Sequence, residues 1–123
     1  MKLISALLPL LLVGPALAQK PPTNDKEEKA MLKTLETKCS NARKAFFKNS
    51  KDAKLKKAYI NATFSYAEAI MVSPALPPRE KYPNSLKLYR EILKTDPNHA
   101  KAKTNAALIV KIYKDMGRPL PGG

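Results

Sequence analysis

The sequence predicts an all-α protein built from antiparallel helix-turn-helix pairs. Three observations carry this. Apolar residues recur at spacings of three and four in four separate runs, and no run alternates with a period of two. Cap and breaker residues punctuate the runs. The second pair of runs also overlays the first at a constant shift.

The N-terminus reads as a targeting segment. Met1-Lys2 precedes an apolar run from Leu3 to Val13, then Gly14-Pro15-Ala16-Leu17-Ala18, where Ala16 and Ala18 form an A-x-A cleavage pattern. Residues 1–18 are expected to be a secretory signal, which places the mature chain in the periplasm or outside the cell. The run is short for a membrane span, and no span is expected after cleavage. Residues 19–24 form a polar leader with Pro21-Pro22, expected to be flexible. The helical domain is expected over residues 25–117.

Asn24 predicts the first helix start, with Glu27 three residues on as a capping box. That helix should run from Asp25 to Lys48, its buried stripe being Leu32, Leu35, Cys39, Ala42 and Phe46. Asn49 to Asp52 break it, and Ser50 or Asp52 can cap the next. The second helix should cover residues 53–72, burying Leu55, Tyr59, Ala62, Tyr66 and Ile70. Lys54, Lys56 and Lys57 crowd its first turn, where the helix dipole prefers acids.

Residues 73–83 hold four prolines, which predicts an extended connection. A third helix is then expected over residues 84–95, with Leu86, Tyr89, Ile92 and Leu93 inward. Asp96 should cap a fourth helix that starts on Pro97, where a missing N–H costs nothing. Its stripe is Ala102, Ala106, Ile109, Tyr113 and Met116. Gly117 supplies a left-handed stop, Pro119 forbids continuation, and residues 118–123 read as a disordered tail.

The shift that carries Ala53 onto Ala100 also carries the turn Asn49–Asp52 onto Asp96–His99. With Ser85, Tyr89 and Pro97 at matching distances, residues 40–117 resemble tetratricopeptide repeats. The shift exceeds the roughly 34 residues of one such repeat, and the proline-rich segment accounts for most of the excess. The chain departs from the pattern at Lys103, Ala106 and Ala107, where the family has a large aromatic, a leucine and a glycine, and at Ile92, where it has a small residue. The plain alternative is a four-helix bundle. About two units of a right-handed superhelix are few for a solenoid, so a leftover apolar face needs the long first helix, a second copy or a partner to cover it.

The chemistry of catalysis is not legible. The chain has one histidine, His99, and one cysteine, Cys39, too few to bind zinc. Its ten carboxylates are scattered among lysines, and none of its four glycines forms a phosphate loop. No cofactor or metal is expected, and the chain reads as a non-enzyme. The sequon Asn61-Ala62-Thr63 falls mid-helix and reads as chance.

Charge is the strongest compositional signal. Twenty-three Lys and Arg against ten Asp and Glu leave a net charge of +13, which attracts anionic partners. The resemblance implies a concave face lined by the first helix of each repeat, holding a protein or peptide partner. The residues placed there are Lys54, Lys57 and Asn61 on one helix, and Lys101, Thr104, Asn105 and Leu108 on the other. Ammonium and amide donors suit a carboxylate. The other expectations are a basic envelope protein that binds an anionic polymer (nucleic acid, lipopolysaccharide or wall polymer) and a structural subunit of a larger assembly.

Overall fold

The computed structural model describes residues 24–121. The expected signal and most of the leader lie outside the described residues. Four helices follow one another: α1 (Asp25–Lys48), α2 (Ala53–Met71), α3 (Pro78–Thr95) and α4 (Ala100–Asp115). No strand occurs among the described residues. Each helix packs on its chain neighbour, α1 on α2, α2 on α3 and α3 on α4. The architecture is all-α, a run of helical hairpins with one shared core.

α1 begins where its cap requires. The Asn24 side chain accepts a 2.9 Å hydrogen bond from the Glu27 N–H, and Asp25, Glu27 and Glu28 occupy the first turn. Asp52 caps α2, accepting from the N–H groups of Lys54 and Leu55 at 2.8 and 3.0 Å. That bond holds the α2 start together despite its lysines.

The α2 stripe differs from expectation. Tyr59 and Ile70 are buried as predicted, but the other buried positions are Ile60, Thr63 and Ala67, while Leu55, Ala62 and Tyr66 are only partly covered. α2 lies between α1 and α3, so it buries a face too wide for one line of spacing. Cys39 is buried on the α1 side, its Sγ 3.4 Å from Thr63 Oγ1.

The proline-rich connection is shorter than predicted, because α3 starts at Pro78 rather than near residue 84. Pro77 is the N-cap and Pro78 the first helical residue, where no N–H is needed. The N–H groups of Glu80 and Lys81 both donate to the Pro77 carbonyl. Only Pro83 sits inside the helix at a cost. Leu76 and Tyr82 pack against the core on either side of this turn, and that burial offsets the lost bond.

The start of α4 also differs. Asp96 ends α3 and holds the turn by accepting from the Asn98 N–H at 3.2 Å. The N-cap is His99, whose Nδ1 accepts from the Ala102 N–H at 3.1 Å. His99 is therefore more than a surface polar residue, since its ring also lies 5.3 Å from that of Phe64.

The C-terminal stop forms as read. Gly117 has φ of 67°. Its N–H donates to the Lys114 carbonyl and that of Arg118 to the Tyr113 carbonyl, the two bonds of a Schellman cap. Met116, placed on the α4 stripe, is exposed; it is the C-cap residue, one position past the last helical residue. Within the segment read as a disordered tail, the Pro121 carbonyl accepts a 3.1 Å bond from Arg90 on α3. Gly122 and Gly123 lie outside the described residues.

Candidate functional site

Two of the concave regions on this scaffold bear on binding. The first is a cleft of about 330 Å³ between α2 and α4. Phe64 and Glu68 form its α2 wall, and Lys101, Thr104 and Asn105 its α4 wall. These two helices are joined through α3 rather than packed on each other, which leaves space between them. The Asn105 amide donates to the Tyr89 hydroxyl at 3.0 Å. That fixes Asn105 at the base of the cleft, and Phe64 leans on the Tyr89 ring at 5.8 Å. Burial pushes the Tyr89 hydroxyl up to about 12, the Asn105 bond opposing the rise.

The predicted binding residues separate here. Lys101, Thr104 and Asn105 share the cleft, whereas Lys54, Lys57, Asn61 and Leu108 do not line it. All four of these are solvent-exposed on α2 or α4. The α2 residues facing the cleft are instead Phe64 and Glu68. The cleft therefore pairs one cation with one carboxylate across an aromatic floor.

The second region is a larger groove of about 710 Å³ between α1 and α3. Sequence reasoning placed no site residue there. Arg43 and Phe47 come from α1, Tyr59 from α2, and Lys87, Arg90 and Lys94 from α3. Pro83 and Pro121 add apolar wall. The α3 cations fall at i, i+3 and i+7, so they share one stripe.

One carboxylate lines this groove, and it is fully engaged. Arg43 donates to Glu91 through Nε at 2.7 Å and through Nη2 at 3.0 Å. The Tyr59 hydroxyl donates to the same carboxylate. Burial alone would raise the Glu91 pKa. The Arg43 and Tyr59 hydrogen bonds, with the charges of Arg43 and Lys87, outweigh it and hold the carboxyl below its usual range. The bond to Glu91 raises the Arg43 pKa, and burial followed by the same carboxylate raises that of Tyr59. Arg43 also reaches Cys39 Sγ at 3.8 Å. The cluster is therefore a structural clamp tying α1, α2 and α3 together.

Phe47 stands beside the clamp and is 63% exposed. Its ring is 5.6 Å from Tyr59 and 5.8 Å from the buried Phe46. An exposed aromatic backed by two others is held in place before anything binds it. The sequence signal was present: Phe47 lies one position off the apolar stripe, so a helix could not bury it together with Phe46.

No group of His, Cys, Asp and Glu that could hold a metal ion occurs among the described residues. None of the described helices is long and apolar enough to cross a membrane. No family model, curated protein or solved structure matches the chain.

Proposed function

We propose that the chain is an exported, tetratricopeptide-like interaction module that holds a segment of a protein partner in the α2–α4 cleft. The carrying observation is that Lys101, Thr104 and Asn105 meet Phe64 and Glu68 around one concave space between helices that do not pack together. In the resemblance, this is the face formed by the first helix of each repeat. A partner carboxylate would meet the Lys101 ammonium, a partner amide would meet Glu68, and an apolar side chain would rest on Phe64. The signal-like N-terminus supports export.

Affinity capture from an envelope extract tests the reading. The bait is the whole protein, washed at low salt and then at roughly 0.5 M, where surface charge attraction is largely screened. A discrete protein should survive the wash, and a Lys101→Ala/Thr104→Ala bait should capture less of it. A bait that holds only anionic polymer, released by salt, would overturn the reading in favour of polymer binding. That second reading is favoured by the net charge of +13.

A further inference from the structure

We propose that the groove between α1 and α3 is a second docking site, taking an acidic, extended peptide segment that carries one apolar side chain. This rests on the reading of the chain as an interaction module, and it adds a separate surface and the chemistry of its occupant.

Charge complementarity is the first argument. Lys87, Arg90 and Lys94 line one wall, and none of them enters an ion pair found among the described residues. The one carboxylate in the groove, Glu91, is already matched by Arg43 and Tyr59. Glu91 also feels the Lys87 charge, yet it is one carboxylate facing Arg43, Lys87, Arg90 and Lys94, so the lining keeps an excess of positive charge. Neighbouring cations on one helix stripe repel each other, and an incoming anion relieves that repulsion.

Shape is the second argument. From Lys87 to Lys94 the helix rises about 10 Å. Side chains on one side of an extended peptide repeat about every 7 Å. Two acids at alternate positions therefore fit within the row. In the same lining, the exposed Phe47 ring offers an apolar seat, backed by the buried Tyr59 and extended by Pro83 and Pro121.

The occupant is a different protein rather than this chain. Residues 1–23 contain Lys2 and Lys20 but no acid, so the N-terminal segment has the wrong sign. A second copy brings the same net charge of +13. An anionic polymer matches the cations but not the rest. A strand of nucleic acid is held by successive aromatic platforms, and this groove exposes one ring, with a carboxylate beside it.

The test is fluorescence anisotropy on the whole protein. The probe is a labelled peptide of alternating glutamate and alanine with one central phenylalanine; a second probe lacks the phenylalanine. Lys87→Ala with Lys94→Ala should weaken binding roughly three- to tenfold, the range for two rim charges. Phe47→Ala should weaken the first probe about fivefold, the scale of a partly buried aromatic, and leave the second unchanged. Circular dichroism verifies that each variant is folded, and Phe47 is exposed enough for its loss to spare the core. Equal binding of the first probe by the wild type and both variants would overturn the proposal. So would tighter binding of inorganic polyphosphate than of the peptide, insensitive to Phe47→Ala. Lys101→Ala/Thr104→Ala separates the two sites: it should leave probe binding intact while reducing capture of the envelope partner.

Discussion

Arg43 on α1 grips Glu91 on α3 with two N–H···O bonds, one to each carboxylate oxygen. This is the one ion pair among the described residues that joins two helices; the other two are local to one helix. Local surface pairs contribute little. A half-buried, bidentate pair with a tyrosine on the same carboxylate is worth more as a unit than as separate bonds.

The clamp predicts an asymmetric cost. Arg43→Ala should destabilise the fold by about 2 kcal/mol, because it leaves the Glu91 carboxylate half-buried without its cation. Arg43→Met combined with Glu91→Leu should cost less than Arg43→Ala alone, since neither charge then needs a partner. Urea unfolding of the two proteins compares them directly. Equal losses would mean that the pair acts through its aliphatic stems.

Stability should depend on pH at both ends. Glu91 titrates below its usual value, so its stabilisation is present above the ordinary carboxylate pKa of 4.5 and is lost as pH falls through the lowered one. Tyr59 and Tyr89 titrate above 10.0. Their stabilisation is present below that value and lost as pH rises through the raised ones. Thermal unfolding across pH should show both losses. Glu91→Gln should flatten the acid side, and Tyr89→Phe the alkaline side.

His99 tests a cap that few sequences use. His99→Ala should cost about 1 kcal/mol through the lost bond to the Ala102 N–H. His99→Asn keeps an acceptor but loses the ring against Phe64, so its midpoint should fall between the two in thermal unfolding. An Asn variant as unstable as the Ala variant would assign the stabilisation to the ring contact.

Gly117 isolates a backbone effect. A Cβ placed there meets nothing within 4 Å, while its φ of 67° disfavours any L side chain. Gly117→Ala should therefore cost about 1 kcal/mol with no packing contribution. A loss several times larger in chemical unfolding would require a contact that this geometry does not contain.

Much of this fold was legible in single residues. Asn24, Asp52 and Gly117 announced three helix ends because caps act over three or four residues. The start of α3 was misread because four prolines in a row of eleven residues look prohibitive. The outcome turns on the position of each: Pro77 and Pro78 fall where no N–H is used, and burial of Leu76 and Tyr82 outweighs Pro83. His99 was passed over because capping statistics favour Ser, Thr, Asp and Asn.

The candidate site was less legible than the helices. Lys101, Thr104 and Asn105 could be grouped because one helix carries them. Their partners on α2 could not, since which turn of α2 faces α4 depends on how both sit against α3. The same holds for Arg43 and Glu91, whose meeting across α2 leaves no mark in local spacing.

The bond between Arg90 and the Pro121 carbonyl also has a bearing on how this protein is handled. Pro121 is part of the α1–α3 groove wall, so chain continuing past it departs from the edge of that groove. A purification handle or fluorescent fusion attached at the C-terminus would be joined two residues from this wall, close enough to compete with weak binding. Labels belong on the exposed face of α4, for instance at Lys103 or Ala107, which lies clear of both concave surfaces.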